Sequence, residues 1–196
     1  MYCVNKTTQT EDTIKKSRFI GILIPCPTES EALQHLTQLQ QQYPDASHLV
    51  FAYRIKTLKG IVTRFHDAGE PRGTAGKPIF QHLAGKNLIN LICVVVRYFG
   101  GIKLGAGGLT RAYSNTAKKV IEASTLCKYI EYTDRSFTID YKQMQNFEYQ
   151  LKIFDGLIVN QDFSEKVTLT IKIPESKATD FSKIFQTLKT TATEIR

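Results

Sequence analysis

Apolar residues recur along the chain with two different periods. Arg18 to Ile24 (RFIGILI) reads as a strand reached through a charged lead, IKKS. From Thr28 the spacing turns helical. Ala32, Leu36, Leu39 and Tyr43 share one stripe, and Thr28 with Glu31 forms a Thr-x-x-Glu capping box at its start. Pro44-Asp45 ends that helix. Alternation returns at His48 to Ile55, with Leu49, Phe51, Tyr53 and Ile55 on one face. A partner strand, Ile61 to Phe65, follows the Lys59-Gly60 turn. A helix is predicted from about Lys77 to Ala84. Asn90 to Phe99 is almost wholly apolar and β-branched, as a strand covered on both faces requires. Leu109, Ala112, Tyr113, Thr116, Ala117, Val120 and Ile121 then mark an amphipathic helix. The pattern starts it near Gly108-Leu109 and leaves Arg111, Asn115, Lys118 and Lys119 outside.

A second unit begins near Tyr132. Phe137, Ile139 and Tyr141 alternate as a strand; Met144, Phe147, Leu151 and Phe154 mark a helix stopped at Asp155-Gly156. Strands Leu157 to Phe163 and Lys166 to Ile173 follow, and Phe181, Ile184, Phe185 and Leu188 make a last helix. The order βαββα predicts a small ferredoxin-like sandwich, with Thr193 to Arg196 as an added edge. The expected fold class is mixed α/β (α+β), with domains at 1–130 and 133–196.

Composition narrows the class. Of 196 residues, 42% are hydrophobic and 22% charged, which excludes a disordered, collagen-like or coiled-coil chain. The longest apolar run, Leu88 to Val96, is broken by Asn90 and too short to span a bilayer. The amino-terminal MYCVNKTTQTED has no apolar signal region. Cys3, Cys26, Cys93 and Cys127 are scattered, without a CxxC or metal spacing, and read as reduced thiols. A cytoplasmic protein with no membrane partner is expected.

Charge changes the picture more. The formal net charge is +8, and residues 54–111 alone hold ten basic residues against Asp67 and Glu70. Ten of the twelve glycines lie in 60–108. Positive charge and close-approach backbone therefore coincide, as an anion-binding surface needs. The richest stretch is RYFGGIKLGAGGLTRAY, Arg97 to Tyr113: a buried strand, a glycine loop, then a helix start whose free N–H groups favour an anion. Gly105, Gly107 and Gly108 leave room for a ligand, and Lys103 and Arg111 can bond phosphate. A purely structural turn is the alternative.

Nucleotide-hydrolysis machinery is absent. Gly105-x-Gly107-x-x leads to Thr110 rather than glycine. Before Gly76-Lys77, Pro71 stands where a phosphate loop needs its first glycine, and Pro78 follows the lysine. His66, Asp67 and Glu70 are the one compact titratable group, weak as metal ligands and better read as turn chemistry. His48 reads as a packed strand residue. No catalytic signature and no cofactor motif occurs.

The stretches GEPRGTAGKPI (Gly69 to Ile79) and VVVRYFGGIKLGAGGLTRAY (Val94 to Tyr113) resemble the IMPACT/YigZ family. KKSRFI (Lys15 to Ile20) and His48 with Ala52-Tyr53-Arg54 match the same pattern, so the likeness covers about residues 10–125. Residues 133–196 resemble the second domain of bacterial members. The resemblance implies a first domain similar to the second domain of a small-subunit ribosomal protein. It implies a second domain similar to the last domains of elongation factor G. Its functional implication is translation-linked regulation through RNA or the ribosome, or through a regulatory protein partner. Ala68 stands where the family usually has a second Asp, which weakens a metal site, and Arg72 where a small residue is usual, which adds positive charge. The expected function is thus a non-catalytic RNA- or ribosome-binding regulator. Arg72, Lys77, Arg97, Lys103 and Arg111 would meet phosphates. A protein-docking regulator and an enzyme acting on a phosphorylated small molecule are the competing readings.

Overall fold

The computed structural model describes residues 1–187 and divides the chain into two compact units, Met1–Tyr129 and Ile130–Arg196. In the first, β1 (Tyr2–Val4), β2 (Thr8–Ile14) and β3 (Ser17–Pro25) precede α1 (Glu29–Gln42). Then come β4 (His48–Thr57), β5 (Gly60–His66), α2 (Gly76–Gly85), β6 (Leu91–Tyr98), α3 (Gly105–Glu122) and β7 (Leu126–Lys128).

The order β2-β3-β6-β4-β5 makes one antiparallel sheet, with β6 between β3 and β4. That position explains its composition. Leu91, Cys93 and Val95 pack beneath α2 and α3, while Ile92, Val94 and Val96 pack beneath α1. Neither face of β6 sees water, so alternation vanishes and every residue from Leu91 to Val96 is buried. Helix α1 starts on Thr28, whose hydroxyl accepts from Glu31 N at 3.2 Å, one half of the expected capping box; the Glu31 carboxylate accepts from that hydroxyl and not from the Thr28 backbone N–H.

Two elements differ from the sequence pattern. The segment TQTEDTI, to which the sequence pattern assigns no element, is strand β2, paired along its whole length with β3. As an edge strand it alternates half-buried and exposed positions through Thr, Asp and Glu, so no apolar period marks it. Its turn, Lys15-Lys16, takes positive φ at both residues (45° and 63°) without glycine or asparagine. Helix α3 begins at Gly105, not near Gly108-Leu109. A first helical turn makes no i−4 bonds from its own N–H groups, and the Leu109–Ile121 stripe pays for the rest.

The second unit runs β8 (Tyr132–Ile139), a 3₁₀ turn (Tyr141–Gln143), α4 (Met144–Ile153), β9 (Leu157–Phe163), β10 (Val167–Pro174) and α5 (Glu175–Thr187). Its antiparallel sheet has the order β8-β10-β9, the βαββα arrangement expected. Val167, Leu169, Ile171 and Ile173 meet a cluster of Phe137, Phe147, Phe181 and Phe185. Tyr141 is not on the strand. Asp140 caps the 3₁₀ turn reciprocally with Gln143, which leaves Tyr141 exposed against Phe163. Leu188 and the proposed edge Thr193 to Arg196 lie outside the described residues. Among the described residues no helix is long and apolar enough to cross a membrane.

The cysteines are free, but not all scattered. Cys26 and Cys93 are buried, whereas β1 and β7 pair Cys3 with Cys127, Sγ to Sγ 3.2 Å. Diamide, which takes up two thiol hydrogens, is expected to join Cys3 to Cys127 and no other pair. Peptide mapping that found Cys26 or Cys93 crosslinked instead would contradict this register.

Candidate functional site

The register of three strands assembles the floor of the site. Arg97 on β6 lies opposite Phe19 of β3 and His48 of β4. Directly opposed residues share a sheet face, here the face that α3 covers. Arg97 is only 4% exposed. Its charge is met by Glu70, from the loop before α2: Glu70 Oε1 accepts from Arg97 Nη1 at 2.5 Å and from the Tyr113 hydroxyl at 2.7 Å. Burial, reinforced by that bond to Glu70, pushes the Tyr113 hydroxyl far up, so it remains a donor. The guanidinium also lies 5.4 Å from the Phe19 ring centroid and 5.6 Å from that of Phe99. Its Nε is buried and has no partner.

His48 completes the row. Its Nδ1 stands 2.9 Å from the Ala68 carbonyl, which can only accept, so the proton sits on Nδ1. Nε2 lies 3.7 Å from Glu70 Oε1. Ala68 holds φ at +50°, an unusual state for alanine, to present that carbonyl.

Two helix amino termini sit near this floor, and they differ in one respect. Helix α2 is stopped by Asp67. Its carboxylate accepts from Gly73 N at 2.8 Å, Ala75 N at 3.1 Å and Gly76 N at 2.8 Å. Burial would push the Asp67 carboxyl up, but the amide bonds from Gly73, Gly76 and Ala75 together hold it below its usual range. Helix α3 has no such plug. Its cap residue, Leu104, makes no side-chain capping bond, and the amides of Gly105, Ala106 and Gly107 precede the first i−4 bond of the helix. Gly105 has φ +73°, where a side chain would be strained. Gly107 is different: a Cβ added there meets nothing within 4 Å.

A recess of about 340 Å³ opens beside that terminus, lined by His48, Glu70, Pro71, Arg97, Phe99, Lys103, Leu104, Gly105, Ala106 and Leu109. The fold therefore brings Arg97, Lys103, Gly105 and Glu70 together, with Gly107 and Gly108 in the same helical turn. Arg72, Lys77 and Arg111 are exposed but do not line the recess. Among the described residues none of these three, nor Lys103, has an ion-pair partner. By contrast, Lys118 lies 3.9 Å from Glu122 and Lys119 2.5 Å from Asp12.

Several expectations change. Arg97 is a buried floor residue whose guanidinium is already bonded to Glu70, not a free surface cation. Glu70 bonds Arg97 and Tyr113 rather than loop amides. His66 accepts from Ala68 N at 3.0 Å, Asp67 caps α2 and Glu70 holds Arg97, so the three weak metal candidates face different partners. Among the described residues no three His, Cys, Asp or Glu side chains are arranged to hold a metal ion. Tyr53 is buried and donates to Glu29 Oε2 at 2.6 Å. The sequence marks His48 only as a packed strand residue and Tyr113 only as part of a helix stripe, not as parts of the site.

The Asp67 cap is testable. A carboxyl held low in the folded state contributes stability that is present above its unfolded value, near 3.9, and is lost as pH falls through the folded one. Asp67→Ala should cost about 1–2 kcal/mol at neutral pH, as capping losses do. It should also flatten the loss of stability below about pH 4. Urea midpoints measured against pH check both, and equal acid slopes in the two proteins would contradict the cap.

Comparison with known proteins agrees with the sequence resemblance. Residues 15–121 match the family model of the Impact N-terminal domain, and residues 137–187 match the domain of unknown function DUF1949. The chain is 34% identical over 172 residues to the IMPACT family member YigZ of Escherichia coli (strain K12), covering 87% of this chain and 84% of that protein. It is 33% identical over 182 residues to the IMPACT family member YvyE of Bacillus subtilis (strain 168), covering 93% and 83%. A crystal structure of a hypothetical protein aligns with TM-score 0.70 and 30% identity, over 99% of this chain and 95% of that one. On these matches, the chain belongs to the IMPACT family.

Proposed function

We propose that the first unit binds RNA, in the translation-linked role that the family resemblance implies, and that the recess beside α3 seats a phosphate. The observation that carries this reading is the uncapped amino terminus of α3 beside Lys103, in a segment where positive charge is concentrated. Free helical amides and a neighbouring ammonium group are what a phosphate oxygen needs. Arg72, Lys77 and Arg111 would add contacts along the chain of phosphates.

Polyanion binding of this kind has a salt signature. Each phosphate contact releases condensed counterions, so affinity falls with salt by roughly 0.7 to 0.9 of a log unit per log unit of salt for each contact. Lys103→Glu with Arg111→Glu should weaken RNA binding at least about tenfold and flatten that slope by about one unit per lost contact, for unrelated RNA sequences alike. Lys118→Glu, already opposed by Glu122, should matter less. Fluorescence anisotropy at several salt concentrations reads this directly. Unchanged affinity and slope in a double variant that still melts cooperatively would leave protein docking as the better reading.

One observation favours a second reading. His48 Nε2 lies 3.7 Å from Glu70 Oε1 in the recess, a pairing of imidazole and carboxylate that chemistry on a phosphorylated small molecule would use. Turnover of such a compound that disappears in His48→Ala would favour it.

A further inference from the structure

We propose that Cys3 and Cys127 are a reversible oxidation site, at which a small disulfide such as oxidised glutathione joins the first strand of the amino-terminal unit to its last. Strands β1 and β7 bring the two ends of that unit together, and their register sets Cys3 opposite Cys127. The two sulfurs are 3.2 Å apart, already in hydrogen-bonding contact. Tyr129 N donates to the Met1 carbonyl at 3.1 Å, two positions along the same ladder. Hydrogen-bonded pairs alternate along antiparallel strands, so Cys3 and Cys127 form such a pair, with Cα atoms about 5.5 Å apart. A disulfide spans roughly 4.4–6.8 Å, and the bond can form with little movement of the backbone. Both thiols are half-buried, whereas Cys26 and Cys93 are 0% exposed. An oxidant in solution therefore reaches this pair and not the other two.

The exchange takes two steps. One protein sulfur, as its thiolate, attacks a sulfur of glutathione disulfide; the oxidant's S–S bond breaks and one glutathione leaves. The second protein sulfur then attacks the first, the protein's S–S bond forms, and the other glutathione leaves. Two protein thiols give up two protons and two electrons, and one glutathione disulfide becomes two thiols. The surroundings set the order of attack. Burial, and then Cys127 beside it, push the Cys3 thiol up to about 11. Cys3 is the poorer first nucleophile, so Cys127 attacks first. As a mixed disulfide Cys127 holds neither a proton nor a charge against Cys3, which is then free to resolve it.

The bond acts as a clasp. Strands β1 and β7 have three residues each, too short a ribbon to hold by itself. Otherwise β1 is fixed through the backbone bonds of Tyr2 to Asn87 and Ile89 and through buried Val4. A crosslink from residue 3 to residue 127 encloses nearly the whole unit. Loop closure restricts the unfolded chain more as the loop lengthens, so one bond at this place has a large effect on stability. Its partly exposed position leaves the disulfide open to attack by thiols, which makes it reversible.

Titration of the full chain with mixtures of reduced and oxidised glutathione tests this, read by peptide mapping, thermal melting and amide exchange at Tyr129. The Cys3–Cys127 disulfide should appear as oxidised glutathione rises, and dithiothreitol should remove it. Oxidation should raise the melting temperature by at least about 5 °C and slow exchange at Tyr129 about tenfold or more. In Cys3→Ser the reaction should stop at a glutathione adduct on Cys127, with neither change. Cys127→Ser should form its adduct more slowly, because its remaining thiol is the one that burial suppresses. A lasting glutathione adduct on the unaltered protein, or no reaction of either thiol, overturns the oxidation site. A disulfide that forms without raising the melting temperature or slowing Tyr129 overturns the clasp. The titration of the unaltered chain decides both points even where a variant fails to fold.

Discussion

A guanidinium in the middle of a sheet has to be answered, and much of the first unit is the answer. Arg97 occupies a central strand in which Leu91 to Val96 are apolar and buried. Removing one partner of a buried ion pair costs about 3–5 kcal/mol, a large share of the roughly 5–15 kcal/mol that holds a domain together. Glu70 must therefore reach the sheet face, and Tyr113 of α3 must stand over it to fill the carboxylate's second bonding direction. The loop that carries Glu70 is drawn across the floor in the process. Ala68 then meets His48, and Asp67 falls within reach of the α2 amides. One buried charge thus sets the loop, two helix positions and the histidine orientation.

The same constraint explains why two similar glycine-rich stretches differ in role. GTAGKP and GGIKLGAGG each lead into a helix and each carries a lysine. In the first, a carboxylate supplied by the protein has already taken the helical amides. In the second, the equivalent place is held by Leu104, which has no acceptor to offer. The difference is a single functional group, Asp67, brought in from nine residues before the helix it caps.

How much of this the sequence disclosed depends on the range of the interaction. Local patterns were legible: the Thr28 cap, the doubly buried strand containing Val94 to Val96, and the alternation of Val167 to Ile173 all appear as read. Strand β2 was hidden because an edge strand needs no apolar face, and its lysine turn carries no usual turn residue. The α3 start was misplaced because glycine marks a loop and a first helical turn equally well. Arg97 was visible as an anomaly, since parity puts it on the face of Cys93 and Val95, where a bare charge cannot rest. That its partner is Glu70, 27 residues away in a loop, no periodicity could say. His48 and Phe99 join the site only through strand register and chain folding.

Burial and pairing also decide which of the many cations are available for function. Lys119 faces Asp12, Lys118 faces Glu122, and Arg18 is bonded to Glu11 at 2.7 Å; these charges do not add to a ligand field at full strength. Arg97 is spent on Glu70 except for its Nε. Near the recess, among the described residues, Lys103 and the exposed Arg72, Lys77 and Arg111 have no ion-pair partner. Because strands hold the floor and a buried ion pair fixes the loop, the first-turn amides of α3 are positioned before any ligand arrives. An anion bound there would meet groups already oriented, with little of the ordering cost that flexible surface lysines carry.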